Sequence, residues 1–479
     1  MSLLLWTQQF LFFGGWMIRL LLLPAIVLRK EKPAACLFWL AIVFLEPWMG
    51  AIFYLLLGEN RLGRRRLARR QRRRLEFLGA GHHGVEPQHV IAAGFAPGPE
   101  NQRYTAAQLG GLPLVGGNTV ELMTRPDTVI DRFIADIDAA EHHVHLLFYI
   151  YADDHVGQRV AAAMVRARTR GVACRLLADG VGSRRLFRRL APQLRQQGIE
   201  VLPALPVNLL RMGLARMDLR NHRKLAIIDG RIAYTGSQNV IRPSYGHRRA
   251  GMWHDIMARI RGPVVQQLQD IFLEDWFHES GELLEDPAMF PPAVIAGNVA
   301  VQVVPTGPDA ATDEFQDLIV KAIFLAQQCV VITSPYFVPN DAMLLALRLA
   351  AQRGVRVDLV VPRKSDHPVV DAAGAFYCEH LMRFGARVFR YQRGMLHAKT
   401  LTVDDKFAMF GSANYDIRSF TLNFELNLIL HDPGTVAQLR RLQEGYQRHS
   451  LIARPGTWPS RSWLNQFKMN LAKLLSPLL

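Results

Sequence analysis

The chain has 479 residues, half of them apolar, and carries 57 lysines and arginines against 41 aspartates and glutamates, a formal net charge of +16. That length excludes one small domain and fits two or three, and the apolar half can build sizeable cores. The charge calls for an anionic partner, nucleic acid or anionic lipid.

Trp6 to Leu28 and Ala34 to Leu57 are 23 and 24 residues of mostly apolar sequence, interrupted by Arg19 and by Glu46-Pro47. About 20 apolar residues cross a bilayer, so residues 1–60 read as a membrane anchor with helices over 6–28 and 34–57. No basic stretch precedes the first and a second apolar stretch comes directly after it, unlike a cleaved signal peptide. Nine arginines lie between Arg61 and Arg74, more charge than Arg29, Lys30 and Lys32 carry in the connecting loop. The larger cluster places the residues after Leu57 on the cytoplasmic side and suits anionic headgroups. The basic loop leaves a shallow interfacial arrangement open. Arg19 and Glu46 fall at similar depth in a hairpin and are expected to pair, because lone charges in hydrocarbon are costly.

Residues 61–117 read as a basic collar and linker. From Asn118 helices and strands alternate: a helix over Arg132–Ala140, a strand over Val144–Tyr151, a helix over Val160–Arg168 closed by Gly171, a strand over Val172–Leu177. The order returns with a strand over Cys329–Ser334, a helix over Met343–Gln352 closed by Gly354, and a strand over Val355–Val361. This periodicity predicts two α/β domains, 118–295 and 296–450, with sheets flanked by helices. Leu202 to Met217 mixes leucines and methionines with Arg211 and Arg216, and reads either as a lipid entrance or as ordinary packing. In the tail, 451–479, Trp463, Phe467, Leu471, Leu474 and Leu478 recur every three or four residues with Lys468 and Lys473 between them. That is an amphipathic helix, made for a membrane interface or for docking on the body.

The four cysteines, Cys36, Cys174, Cys329 and Cys378, are scattered without C-x-x-C spacing. They offer neither a disulfide framework nor a zinc site. His142, His143 and His145 lack a carboxylate or cysteine at ligand spacing, so no metal is expected there.

One pattern occurs twice. His222, Lys224, Asp229, Gly236, Ser237 and Asn239 recur at a constant offset of 175 as His397, Lys399, Asp404, Gly411, Ser412 and Asn414. His and Lys two residues apart share one face of a strand. Leu225–Ile228 and Leu401–Val403 read as strands, Asp229-Gly230 and Asp404-Asp405 as hairpin turns, and Arg231–Thr235 and Lys406–Phe410 as return strands delivering Gly-Ser-x-Asn. Each copy offers an imidazole, an ammonium, a hydroxyl and an amide.

Two copies face to face supply a nucleophilic and a protonating imidazole for phosphodiester exchange. Lys224 and Lys399, with Ser237, Asn239, Ser412 and Asn414, are candidates to hold the phosphate, the work a metal does elsewhere. Asp229 and Asp404, at the turns, read as structural or lysine-pairing members of the motif. A nucleophilic histidine needs its second ring nitrogen oriented. Glu425 lies 28 residues after His397; the equivalent position after His222 is Ala250, so Asp255 is the nearest candidate there. Glu425 is therefore expected to serve His397, and Asp255 His222.

The double H-x-K-x4-D with G-S-x-N resembles the phospholipase D superfamily. The paired N-terminal apolar segments, Gly58-Glu59-Asn60-Arg61-Leu62-Gly63, Phe148-Tyr149-Ile150, Met217 to Lys224, Thr333 to Pro339 and Ser476-Pro477-Leu478-Leu479 are similar to bacterial cardiolipin synthases of the A type. The resemblance covers nearly the full length. It implies phosphatidyl transfer between two phosphatidylglycerol molecules, giving cardiolipin and glycerol without metal or cofactor, through a phosphatidyl-histidine. It favours His222 as nucleophile and His397 as acid then base; the residues alone do not choose. It also implies a multi-pass protein of the bacterial inner membrane acting on anionic lipids, with no nucleic acid as partner. Hydrolytic phospholipase D stays open from the motifs, a membrane-anchored nuclease more remotely, and the sequence is silent on oligomeric state.

Overall fold

A computed structural model describes residues 2–29, 33–58, 85, 87–91, 112–206, 218–246, 251–308, 314–456, 458 and 462–474. The arginine run, Lys30 and Lys32, Ala250, the stretch 207–217 and the terminal 476–479 lie outside the described residues. The chain forms two compact units, one of residues 1–72 with 207–219, the other of 73–206 with 220–479.

The first unit holds α1 (Ser2–Arg29), α2 (Pro33–Leu45) and α3 (Pro47–Leu57). Among the described residues only α1 is long and apolar enough to cross a membrane, over Trp6–Arg29. The single helix expected over 34–57 is two helices. Proline disfavours helical geometry in the residue before it, and Glu46 takes φ −135°, ψ 86°. Gly50 lets α3 approach α2, since a Cβ there would lie 2.8 Å from Val43 Cα. Ile26, Trp39, Val43 and Tyr54 bury one another. The expected Arg19–Glu46 pair does not form. Arg19 donates through Nε and Nη2 to the Phe44 carbonyl, at 3.1 and 2.8 Å, beside the break.

The second unit is built on one sheet. Its first half contributes β1 (Val115–Met123), β2 (His143–Phe148), β3 (Ala173–Asp179), β4 (Glu200–Ala204), β5 (Lys224–Ile228), β6 (Ile232–Gly236) and β8 (Met257–Arg261), with a two-residue β7 (Trp253–His254) outside it. The second half contributes β9 (Val299–Thr306), β10 (Cys329–Thr333), β12 (Arg356–Pro362), β13 (Arg387–Tyr391), β15 (Thr400–Val403), β16 (Phe407–Gly411), β18 (Glu425–Leu430) and β19 (Ser450–Ile452). The short β11 (Phe337–Val338), β14 (Met395–Leu396) and β17 (Tyr415–Asp416) lie apart. Strand order is β19-β13-β12-β10-β15-β16-β18-β9-β1-β8-β6-β5-β2-β3-β4. The halves mirror each other about the antiparallel β1–β9 pair, so the duplication folds into one continuous sheet.

Helices cover both faces. In the first half α4 (Pro126–Asp138), α5 (His155–Thr169) and α6 (Ala191–Gln196) pack on one side and α7 (Val264–Ser280) on the other. In the second, α8 (Glu314–Leu325), α9 (Asp341–Gln352) and α10 (Pro368–Met382) oppose α12 (Pro433–Arg448), and a short α11 (Ile417–Thr421) precedes β18. Strand side chains alternate between the layers: Leu225 and Ile227 face α7, Ala226 and Ile228 face α4 and α5. The core under α7 and α12 runs through both halves, from Leu225 and Phe272 to Leu428 and Leu439. Gly171 and Gly354 close α5 and α9 at φ +95° and +86°, the left-handed step that suits glycine after a helix. The chain ends its described course in α13 (Trp463–Leu474).

Candidate active site

The two hairpins carrying the motif turn on residues in the left-handed region. Asp229-Gly230 have φ 52° and 61°, Asp404-Asp405 51° and 53°, as a type I′ turn requires. Asp229 accepts from the N–H groups of Glu141, His142 and His143 at 2.8–2.9 Å. Asp404 accepts from Gln327, Gln328 and Cys329 at 2.6–2.8 Å. Each aspartate clamps its hairpin to the start of β2 or β10. That excludes the lysine-pairing role and leaves the structural one.

Each histidine is delivered by a backbone contact with the other half. The His222 N–H donates to the Phe424 carbonyl at 2.8 Å and the Phe424 N–H to the Arg220 carbonyl at 2.9 Å. In the mirror arrangement β14 pairs in parallel with β7, and the N–H groups of His397 and Ala398 donate to the His254 carbonyl at 2.8 and 3.0 Å. Phe424 precedes Glu425, and His254 precedes Asp255. The carboxylates therefore cross over. His222 Nδ1 lies 2.8 Å from Glu425 Oε2, and His397 Nδ1 lies 2.6 Å from Asp255 Oδ1. Both residues orient a histidine, and the expected partners are exchanged: spacing within one half cannot register contacts that the strand order makes between halves.

The serines brace those carboxylates. Ser412 Oγ donates to Glu425 Oε2, and Ser237 Oγ to Asp255 Oδ1, both at 2.6 Å. Each hydroxyl oxygen also accepts the backbone N–H of Leu426 or Ile256. Both serines are fully buried, and the hydrogen bonds they make run to these carboxylates and to backbone groups. Asn239 Oδ1 accepts the Ile150 N–H at 3.1 Å, while its amide donates to the Tyr245 hydroxyl. Asn414 Oδ1 is buried without a hydrogen-bond partner. The two halves differ here: Glu425 Oε1 takes further bonds from Ser419 Oγ at 3.0 Å and Asn423 Nδ2 at 3.2 Å.

Lys224 and Lys399 are buried, each donating to the carbonyl of its own histidine, His222 or His397, at 2.6 Å. Burial pushes Lys224 down to about 8 and Lys399 well below the usual lysine value. Burial also pushes both imidazoles down to about 4. Lys399 acts on His222, and Lys224 on His397, so both motif faces lie in one electrostatic site. Burial would raise Asp255, yet His397 and Lys399 hold it at about 2. Glu425 is held below the ordinary carboxylate value against burial, first by His222. At neutral pH each carboxylate is ionised and accepts a hydrogen bond from Nδ1–H, leaving Nε2 a lone pair. Aromatic edges wall the rings: Tyr149 meets His222 at 4.8 Å and Trp253 meets His397 at 4.6 Å between centroids.

Sequence reasoning passed over Arg223. It is buried between His222 and Lys224, binds both Asp275 oxygens at 2.9 and 2.8 Å, and donates to the carbonyls of Glu425 and Thr306. Alternation along the strand turns it away from the His/Lys face, and an inward charge demands a partner. Asn221 joins it, reaching Asp275, while its N–H donates to Asp179. The His143–His145 pair is bonded through Gln269: His143 Nε2 lies 3.0 Å from Gln269 Oε1, and Gln269 Nε2 3.0 Å from His145 Nδ1. Among the described residues no group of three or more histidine, cysteine or acidic side chains has metal-site geometry.

A duplicated α/β body presenting two His–Lys faces in one site defines a phospholipase D-like phosphoryl-transfer protein. The family model "Cardiolipin synthase, PLD-like domain" matches residues 133–276 and 319–445, and the chain belongs to that family and is a phosphatidyltransferase. It is 34% identical to Cardiolipin synthase A of Yersinia pseudotuberculosis over 473 residues, covering 98% of this chain and 97% of the relative. The same figures hold for Cardiolipin synthase A of Yersinia pestis. The fold is similar to the crystal structure of phosphatidylserine synthase from Haemophilus influenzae, with TM-score 0.59 and 17% identity over 78% of this chain and 99% of that one.

Proposed function

We propose that the chain makes cardiolipin and glycerol from two molecules of phosphatidylglycerol, with His222 as nucleophile and His397 as acid and base. The observation that carries the reading is the pair of crossed His–carboxylate contacts, which gives two imidazoles with oriented Nδ1 protons and unbonded Nε2 atoms. His222 Nε2 attacks the phosphodiester phosphorus. The P–O bond to the departing glycerol breaks, and that oxygen takes a proton from His397 Nε2. The anionic phosphodiester supplies the field that lets His397 hold this proton despite its depressed resting value. The terminal hydroxyl of a second phosphatidylglycerol then gives its proton to His397 and attacks the phosphatidyl-histidine, breaking the P–N bond. Lys224 and Lys399 offset charge on the phosphoryl oxygens, and the Asn414 amide joins them as a donor through Nδ2. Glu425, the more heavily braced carboxylate, steadies the histidine that becomes a cationic adduct, which favours His222 as nucleophile.

Helix α1 and the broken pair α2–α3 read as a hairpin entering the bilayer from one side. The nine arginines between Arg61 and Arg74 favour the cytoplasmic side for the catalytic halves and suit anionic lipid. Residues 118–295 and 296–450 act in this reading as functional halves, each supplying one histidine and the carboxylate that serves the other half's histidine.

The test is incubation of the membrane-embedded protein with phosphatidylglycerol alone. Cardiolipin and glycerol are expected in equal amounts without added nucleotide or metal. Phosphatidic acid as main product would replace transfer with hydrolysis.

A further inference from the structure

Helix α13 is unusual for a surface helix. Its Met469 and Ala472 are buried, and Lys473 sits 4.3 Å over the Phe376 ring of α10. At about 100° per residue, Trp463, Leu464, Phe467, Leu471 and Leu474 fall on the opposite face. They are 50–72% exposed. A surface helix ordinarily turns polar residues outward; here the outward stripe is apolar and carries a tryptophan, the pattern of a helix lying in a membrane interface.

Between α13 and α10 lies a cavity of about 300 Å³, at the small end of ligand sites. Phe337, Val361, Cys378 and Met469 give it apolar walls, and Arg363 and Lys468 are its cations. Both cations are exposed, and neither has a carboxylate partner among the described residues. Asp371, the acidic residue of the lining, already accepts the Ser365 N–H. Tyr336 forms the inner wall and packs on Trp253 and Met395, and Trp253 meets the His397 ring. Two aromatic rings, Tyr336 and Trp253, therefore separate the cavity from the second histidine.

We propose that this cavity binds an anionic phospholipid, its phosphate at Arg363 and Lys468 and an acyl chain along the Phe337–Met469 wall, with α13 lying on the bilayer that delivers it. The proposal rests on reading the chain as a phospholipid enzyme and adds where the lipid is held. A soluble phosphorylated ligand would use the cations but leave the α13 stripe without a role. A neutral lipid would use the stripe and leave the cations idle.

The experiment uses the full-length protein in vesicles containing phosphatidylglycerol with a photoactivatable diazirine on one acyl chain. Labelling is expected within residues 368–382 or 463–474. A phosphatidylcholine analogue is expected to label them at least tenfold less. Ala372→Phe, which fills the cavity, abolishes the label. Arg363→Ala and Lys468→Ala, both on exposed side chains that a fold tolerates losing, each lower it about fivefold, as fits one cation at an anionic lipid surface. Equal labelling by both lipids, absence of label from both helices, or displacement by inorganic phosphate alone would overturn the site. Cardiolipin formation is measured in parallel. Turnover without label on either helix removes the site and keeps the function; label without turnover keeps the site and removes the function.

Discussion

Glu425, in the second half of the duplicated body, accepts the Nδ1 proton of His222, in the first, at 2.8 Å. Asp255 repays the contact in the other direction, 2.6 Å from His397. Neither half owns a complete histidine–carboxylate pair. Duplication has thus produced two half-sites that work only together, and the continuous sheet through β1 and β9 holds their register.

Removing the charge from either carboxylate separates the two chemical roles. Glu425→Gln is expected to lower kcat by about 10⁴-fold, the scale for a carboxylate that fixes a catalytic imidazole, and to give no lipid-histidine adduct. Asp255→Asn slows the step that consumes the adduct, so a phosphatidyl group accumulates on His222. Mass spectrometry of the quenched enzyme reads both. An adduct on His397 in either variant would exchange the roles.

The serines provide a second discrimination. Ser412 and Ser237 donate to Glu425 and Asp255 at 2.6 Å and are fully buried. A hydrogen bond to a charged group contributes about 1.5–3 kcal/mol, so Ser412→Ala or Ser237→Ala should cost roughly tenfold to a hundredfold in kcat. KM for phosphatidylglycerol should change little. A rise in KM with kcat intact would return the hydroxyls to the phosphate.

Local features of the site were legible because short-range physics makes them. His and Lys two apart share a strand face, the turns at Asp229 and Asp404 need residues that tolerate positive φ, and Gly171 and Gly354 end helices. What was not legible spans the two halves. Spacing tied Glu425 to His397, in its own half, whereas the pairing of Phe424 with the His222 backbone carries it across. Arg223 was hidden for a related reason: two of its three partner residues, Glu425 and Thr306, lie in the other half. In the anchor the physical reason differs. The length of the apolar run predicts one helix, whereas the restriction that Pro47 places on Glu46 divides it into α2 and α3.

The turn aspartates belong to the recurring pattern without touching the chemistry. Asp229 and Asp404 each accept three backbone N–H groups. Asp229→Asn and Asp404→Asn keep an acceptor but lose the charge, at a cost of about 1–3 kcal/mol in stability. Thermal unfolding should show a lower Tm, while kcat per folded molecule stays near wild type. A large loss of kcat with unchanged Tm would place these aspartates back among the reacting groups.

Acid stability gives a test of the resting protonation state. His222 and His397 titrate near 6.5 when unfolded and near 4 when folded, pushed down by burial. Between those values the unfolded chain binds protons that the folded protein does not. The imidazoles' contribution to stability is therefore full above about pH 6.5 and falls as the pH drops toward 4, on the order of 3 kcal/mol for each histidine by pH 4. Asp255, held at about 2, adds its own loss only below the ordinary carboxylate value, in a lower window. Tm in detergent should fall between pH 6.5 and 4.5, below the separate, higher window in which the buried Lys224, pushed down to about 8, titrates, and replacing both histidines by glutamine should flatten the lower slope. A wild-type Tm that stays level down to pH 4.5 would mean the imidazoles are already protonated in the resting site, and a neutral nucleophile at His222 would be lost as the starting point of the reaction.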